Sequence, residues 1–181
     1  MKIHFSLELE LTIRPCARHE LSRLEWYGLY TEHRQLIEDA FRRQQAGEVI
    51  MLVADLDGFP VGQTWLDLSA RAADSVGVIW ALRVLPVLRN HGIGTQLMIA
   101  AERLLSQRGY RCAELTVDQQ EPRACRFYER LGYRSAGSAD GLLSYTTPEE
   151  KSVGLNLQLW ILRKRLRPRA TDWEASQTSR E

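Results

Sequence analysis

Hydrophobic and polar residues alternate along the start of the chain, which is the pattern of a strand with one buried face. The apolar residues occupy every second position over 3–13, and Pro15 is expected to end this strand. Two helical patterns follow over 19–26 and 33–45, with a short aromatic segment between them. Gly47 marks the end of the second helix, since glycine commonly terminates helices.

A hairpin and a central strand are predicted next. Strand patterns at 49–54 and 61–68 flank the pair Asp57-Gly58, which is typical of a tight hairpin turn. The stretch 76–85 is apolar at almost every position. This pattern predicts a central strand that is covered on both faces.

The second half of the chain alternates helices and strands. A helical pattern over about 92–108 is followed by a strand at 112–117 and a helix at 122–131. Residues 135–151 are rich in Gly, Ser, Thr and Pro, which predicts a loop or ragged hairpin before a closing strand at 155–162. Strands joined through a helix are expected to lie parallel with a right-handed crossover, so the order of elements predicts a mixed α/β fold with one sheet.

Composition adds the class of protein. The chain has 181 residues, of which 44% are hydrophobic and 26% charged, values typical of a soluble globular protein. This length suits one domain, expected over 1–166, with a flexible polar tail over 167–181. The formal net charge of +1 gives no overall field that would attract nucleic acid or an acidic membrane. The basic run that begins at Arg163 is interpreted as a solvated chain end.

Cysteine spacing and hydropathy indicate the compartment. The three cysteines, Cys16, Cys112 and Cys125, show no C-x-x-C spacing, which argues against a disulfide scaffold or a zinc ribbon. We therefore expect no metal site and a cytoplasmic protein. No apolar run approaches the roughly 18 residues of a membrane span, and the start of the sequence lacks a signal-peptide pattern.

The glycine-rich segment after the central strand is the most informative stretch of the chain. It reads Leu82-Arg83-Val84-Leu85-Pro86-Val87-Leu88-Arg89-Asn90-His91-Gly92-Ile93-Gly94-Thr95. Glycines let the backbone approach a ligand closely, and the unpaired N–H groups of a first helical turn favour an anion, such as a phosphate. Taken alone, the pattern fits a plain strand-to-helix turn equally well, because it lacks the third glycine of a dinucleotide site and the ending of a P-loop.

Spacing makes this segment specific. Arg89-x-x-Gly92-x-Gly94, after Leu82-Arg83-Val84-x-Pro86, resembles the acetyl-CoA motif of the GNAT N-acetyltransferase superfamily. A second match follows in the expected order, since Phe127-Tyr128-Glu129-Arg130-Leu131-Gly132-Tyr133 resembles the late motif of that family. The resemblance covers about 49–133. It implies a mixed central sheet of about six to seven strands flanked by helices, in which the parallel fourth and fifth strands splay apart around acetyl-CoA.

The resemblance also implies roles for single positions. The main chain over 82–84 would pair with the pantetheine amides, and the peptide amides of 89–95 would hold the pyrophosphate. Tyr128 matches the family tyrosine that protonates the departing thiolate, although a tyrosine on the apolar face of an isolated helix is more often a core residue. The cofactor-binding residues implied are Leu82, Arg83, Val84, Arg89, Asn90, His91, Gly92, Ile93, Gly94, Thr95 and Glu121.

Two positions depart from the family pattern. Many members carry an acidic general base on the central strand, but residues 78–81 contain none. Many also have an asparagine where this chain has Glu121, whose carboxylate accepts hydrogen bonds but cannot donate one. A water chain or one of several carboxylates therefore has to serve as the base; the candidates are Glu25, Glu32, Asp67 and Asp74.

The resemblance implies an acetyl-CoA-dependent N-acetyltransferase that acts on a primary amine by direct attack through a tetrahedral intermediate. A small-molecule acceptor is the first hypothesis, because several aromatic residues are expected near the cleft, although core packing explains each equally well; they are Trp26, Tyr27, Tyr30, Trp65 and Trp80. A protein lysine or N-terminus is the second. A CoA-binding sensor or interaction module without catalysis is the third. Family members often dimerise through terminal strands, so a homodimer is open.

Overall fold

One mixed β-sheet organises the chain. The structure is a computed structural model that describes residues 10–146 and 152–167, with side chains over 10–141 and 156–167. In this part of the chain, seven strands are ordered β1-β2-β3-β4-β5-β7-β6. The strands are β1 (Thr12–Pro15), β2 (Val49–Leu56), β3 (Phe59–Asp67), β4 (Val76–Val84), β5 (Cys112–Asp118), β6 (Arg134–Thr146) and β7 (Ser152–Arg165). The predicted mixed sheet of six to seven strands is confirmed.

Helices cover both faces of the sheet. The α-helices of the described residues are α1 (Arg34–Gln45), α2 (Ile93–Gln107) and α3 (Pro122–Arg130), and 3₁₀ segments occupy Arg18–Glu25, Thr31–His33, Ala72–Asp74 and Pro86–Leu88. Alternation along β2 builds a core on each face, because Met51 and Val53 pack with α1 whereas Leu52 and Ala54 pack with α2. We call these the α1 face and the α2 face. Within the described residues, no helix is both long and apolar enough to cross a membrane.

Two glycines let α2 lie close to the sheet. A Cβ atom on Gly77 of β4 would lie 2.2 Å from Leu105 Cδ2, so any other residue there would require the Leu105 side chain or its helix to move. Gly62 of β3 is almost as tight, with Leu97 Cδ1 at 3.0 Å and Ile93 Cγ2 at 3.1 Å from the same virtual atom. These contacts set the distance of α2 from the sheet, and α2 begins at Ile93, near the end of the glycine-rich segment.

Strand β4 is the irregular element of the sheet. It pairs with β5 in parallel only from Val76 with Cys112 to Val78 with Glu114, and it continues to Val84 without β5 beside it. The predicted splay of these two strands is confirmed. Residues Trp80 to Val84 are half-buried, so the prediction that β4 is covered on both faces holds only for its first half. Ala81 has a φ of +53° within the strand, which marks a bulge.

The sequence-based prediction holds only in part at the end of the chain. A loop or ragged hairpin was expected over 135–151, and Arg134–Thr146 does pair antiparallel with the next strand, β7, but as a long strand and not as a loop. It forms the edge of the sheet and its side chains over 134–141 are mostly exposed, so hydrogen bonds to β7 stabilise it without an alternating apolar pattern. Most of the predicted strand over 3–13, and the tail from residue 168, lie outside the described residues.

Candidate functional site

A cavity opens on the α2 face where β4 ends. Its volume is about 720 Å³, and it lies between the end of β4, the N-terminus of α2 and helix α3. Nine of the twelve residues predicted for the site line it, namely Leu82, Val84, Arg89, Asn90, Gly92, Ile93, Gly94, Thr95 and Tyr128. The structure thus brings the two sequence motifs together at one place.

The N-terminus of α2 presents free hydrogen-bond donors to this cavity. Gly92 is the N-cap residue with φ of +84°, and no side chain caps the helix. The first intrahelical bond runs from the Gln96 N–H to the Gly92 carbonyl at 3.0 Å. The N–H groups of the three residues between them have no partner among the described residues. An anion would satisfy these donors and interact favourably with the helix dipole.

Arginines supply positive charge around the same cavity. Arg89 contributes from the loop, and Arg123, Arg126 and Arg130 contribute from α3, whereas none of the lining residues is acidic. The α3 arginines were missed by the sequence analysis, although their spacing of three and four residues places them on one helix face. This electrostatic field favours a ligand with several negative charges.

Tyr128 lies in the cavity wall in a mostly apolar environment. Its ring packs edge-to-face on Phe127 at 5.1 Å and on Tyr133 at 5.9 Å between ring centroids. Burial raises the pKa of the Tyr128 hydroxyl to about 12. The group is therefore protonated at neutral pH and is able to donate a proton to a developing anion.

Comparison with known proteins agrees with this arrangement. The model of the acetyltransferase (GNAT) family matches residues 17–133. This chain belongs to the GNAT family. An uncharacterized N-acetyltransferase from Archaeoglobus fulgidus is 39% identical over 83 residues, which are 43% of this chain and 55% of that protein. A mycothiol acetyltransferase from Acidimicrobium ferrooxidans is 31% identical over 83 residues, which are 45% of this chain and 27% of that protein.

The chain thus matches about half or less of the length of these curated relatives. Among solved structures, Arabidopsis thaliana NAA60 in complex with acetyl-CoA superposes with a TM-score of 0.65 at 18% sequence identity. That match covers 87% of this chain and 99% of the other chain, and it shows that the two proteins share the fold.

Three residues implied by the GNAT resemblance lie away from the cavity. The Arg83 side chain lies on the α1 face, so only its main chain borders the open edge of β4. His91 is exposed, and its ring Nδ1 lies 2.7 Å from the Arg89 carbonyl oxygen. Glu121 is the exposed N-cap residue of α3 and lies outside the cavity lining.

Most of the carboxylates considered as the general base of this GNAT protein form ion pairs with arginines. Glu25 accepts two hydrogen bonds from Arg34, at 2.7 and 2.8 Å, and this pairing lowers the pKa of Glu25. Burial alone would raise the pKa of Asp67, but hydrogen bonds from the Ala70 amide, from Arg43 and from Ser69 hold it below its usual value.

The other two carboxylates differ from each other. Asp74 is exposed and pairs with Arg71 at 2.7 Å. Glu32 is also exposed, and its Oε1 lies 3.9 Å from His33 Nε2. Among the four candidates, Glu32 is therefore the one that no arginine or lysine pairs with in the described part of the chain.

The aromatic residues expected near the cleft divide into two groups. Trp65 and Trp80 pack edge-to-face at 4.7 Å on the α1 face, and Tyr30 lies nearby under Arg83. Trp26 is buried and donates its indole N–H to the Pro60 carbonyl at 2.7 Å. Tyr27 is 91% exposed and stacks on Phe59. The first group lies beside the splayed part of β4, and Trp26 adjoins it, since its ring packs edge-to-face on Tyr30 at 5.5 Å.

Proposed function

We propose that this chain is an acetyl-CoA-dependent N-acetyltransferase that acetylates the primary amine of a small molecule by direct transfer. The observation that carries the proposal is the cavity at the end of β4. There an uncapped helix N-terminus, four arginines and a protonated Tyr128 lie around one space. This set of groups suits a ligand with phosphates at one end and a reactive thioester at the other.

The lining residues fit coenzyme A chemically. The free N–H groups at the start of α2 would bind the pyrophosphate, and the arginines of α3 would neutralise phosphate charge. Beyond Val78, the edge of β4 that faces β5 has no strand beside it in the described structure, so the main chain on that edge is free to pair with the amides of pantetheine. The apolar side chains of Leu82 and Val84 line the cavity next to this edge.

Tyr128 would act as the general acid. Bound acetyl-CoA supplies an acetyl thioester as the electrophile. The acceptor amine forms the new bond to the acetyl carbon, the carbon–sulfur bond breaks, and the Tyr128 hydroxyl gives its proton to the leaving sulfur. The attacking nitrogen then releases one proton as the amide forms, and this proton restores the Tyr128 hydroxyl through solvent. The amine has to be neutral before it attacks. Its proton would leave through water, with Glu32 as the carboxylate that is not held in an ion pair with an arginine.

Two further features support the remaining parts of this proposal. The half-buried side chains of Trp80 and Tyr30 beside the splayed part of β4 would offer apolar surface to a small acceptor, whereas Trp65 is a core residue, and one relative is named mycothiol acetyltransferase. All three cysteines are free, which suits the reducing cytoplasm as the site of action.

Replacement of Tyr128 by phenylalanine tests the proposal. Release of free thiol from acetyl-CoA should be measured over a panel of small primary amines. Tyr128→Phe should lower kcat by about 10²-fold and leave the Kd for acetyl-CoA unchanged, because the ring packing is kept and only the proton donor is lost. Tyr110→Phe is the matched control, since the Tyr110 hydroxyl bonds the Leu68 carbonyl away from the cavity.

The outcomes separate the three hypotheses. Turnover of small amines that depends on Tyr128 supports the proposal. Turnover of peptide amines alone would favour a protein acceptor. Tight binding of acetyl-CoA with no thiol release above that of the variant would point to a sensor or interaction module.

A further inference from the structure

Three buried hydrogen-bond donors on the α1 face lack partners. They are Gln63 Nε2, Trp80 Nε1 and one terminal nitrogen of Arg83, and none of them meets an acceptor in the described part of the chain. Buried donors without partners destabilise a fold. The three donors lie on two neighbouring strands, β3 and β4, where a bound acceptor, either water or a group of a ligand, would satisfy them.

The bulge in β4 brings these donors to one face. Gln63 lies opposite Arg83 and Trp65 lies opposite Trp80, so β4 advances three residues where β3 advances two. In a regular strand, residues 80 and 83 would point to opposite faces of the sheet. The extra residue at Ala81, with its φ of +53°, shifts the alternation by one. Trp80 and Arg83 consequently share the α1 face with Gln63.

Arg83 has no direct ion pair in the described part of the chain. Its guanidinium lies 4.4 Å above the centre of the Tyr30 ring, and no carboxylate of the described residues lies within 4.0 Å of it, although the charge of Glu32 is close enough to act on it. Burial lowers the pKa of Arg83, as expected for a cation removed from water, and outweighs the opposing effect of Glu32. A largely buried cation that makes no direct ion pair is costly to maintain, and it is the group expected at a site for an anion.

Gln63 is oriented by its neighbour. Trp65 Nε1 donates a hydrogen bond of 3.0 Å to Gln63 Oε1, which uses the acceptor of that amide and leaves its N–H₂ group unpaired. Gln63 and Trp65 are fully buried, so this orientation is fixed by packing. The cluster of Gln63, Trp80 and Arg83, which we call the donor cluster, thus offers donors and positive charge only.

The donor cluster lies beyond the last β4–β5 pair, where the sheet is open between its two faces. Leu82 and Val84 on the same stretch of β4 line the cavity on the α2 face. We propose that the donor cluster binds a carboxylate of the acceptor, so that the acceptor is a primary amine that also carries a carboxylate, as an amino acid does. This inference rests on the proposed function, since it assigns the substrate class of the same reaction.

Paired probes test the carboxylate directly. Alpha-, beta- and gamma-amino carboxylates, and the carboxamide of each, should be titrated into the intact protein with coenzyme A present, and binding followed by calorimetry. At least one acid should bind ten times more tightly than its amide. Arg83→Gln should bring the Kd values of that acid and of its amide to within threefold of each other. Trp80→Phe, which keeps a ring against Trp65, should raise the Kd for the acid about threefold or more. Arg108→Gln, an exposed change at the end of α2, is the control.

The results divide clearly. Three results would each overturn the proposal. The acids could bind wild-type protein no more tightly than their amides, the acids could fail to bind at all, or the preference for an acid could persist in Arg83→Gln. If Arg83→Gln fails to fold, the Trp80→Phe result decides. Titration of coenzyme A alone is scored separately, because its failure would contradict the proposed function and not the carboxylate preference.

Discussion

Val78 and Glu114 form the last pair of the parallel β4–β5 ladder, and the two strands separate beyond them. Glu114 is nearly buried and accepts hydrogen bonds from Arg71, at 2.6 Å, and from Arg163 of β7. The Glu114 carboxylate therefore connects β5 to β7 and to the segment between β3 and β4, at the end of the cleft where β4 and β5 are still paired.

Loss of this charge should destabilise the protein without changing ligand binding. Glu114→Gln removes the acid that Arg71 and Arg163 share, and Arg71 then keeps only Asp74. This change should lower the free energy of unfolding by about 2 kcal/mol, which is below the value for a fully buried pair because both arginines are partly exposed. Urea unfolding measures the change. Asp74→Asn removes an exposed partner of the same Arg71 and should change the free energy of unfolding by less than about 0.5 kcal/mol. Equal effects of the two variants would contradict this account.

The α3 arginines should act on the phosphates of the cofactor alone. Arg126→Gln removes one cation from the cavity and should raise the Kd for acetyl-CoA about tenfold, or about 1.4 kcal/mol. It should also reduce the salt dependence of binding. Turnover of S-acetylpantetheine, which carries no phosphate, should be unchanged. A similar loss with both thioesters would show that Arg126 acts through the fold and not through charge.

The pH profile should reflect the shifted pKa of Tyr128. A general acid works in its protonated form, so activity is lost as the pH rises through its pKa. Because burial raises that pKa to about 12, kcat at saturating substrate should not fall between pH 8 and pH 10. An unshifted tyrosine, with a pKa of about 10, would be half ionised at the upper limit. A fall in kcat of twofold or more by pH 10, with circular dichroism unchanged, would contradict the assignment.

The bulge at Ala81 should tolerate glycine but not a branched residue. A φ of +53° is strained for any side chain and most of all for a β-branched one. Ala81→Gly should leave the free energy of unfolding within about 0.5 kcal/mol, whereas Ala81→Val should lower it by about 2 kcal/mol. Ala139→Val, in edge strand β6, is the matched change where φ is not positive. Equal tolerance of valine at both sites would argue against strain in the bulge.

Much of the fold followed from local patterns in the sequence. The helical spacing that starts at Ile93 and the apolar run that starts at Val76 gave α2 and β4 nearly to their observed ends. The glycine motif and Tyr128 were singled out by the resemblance to the GNAT family, and residues of both motifs line the cavity.

The parts that escaped prediction depend on tertiary contacts. Ala81 carries no sequence signal for a bulge, so the face on which Arg83 lies could not be deduced from alternation. Strand β6 takes its hydrogen bonds from β7, and its exposed residues leave no apolar pattern. The arginines of α3 could have been found, since Arg123, Arg126 and Arg130 follow helical spacing on the helix that carries Tyr128.

The two ends of α2 provide the most direct test that the cavity binds acetyl-CoA. Gly92 and Gly109 have φ of +84° and +85°, and a Cβ atom on either would meet nothing within 4 Å, so alanine strains both positions alike. Only Gly92 lines the cavity. Calorimetric titration with acetyl-CoA should give a micromolar Kd for wild type and Gly109→Ala, and a Kd at least ten times weaker for Gly92→Ala. No binding by wild type, or equal binding by the two variants, would contradict the assignment of this cavity.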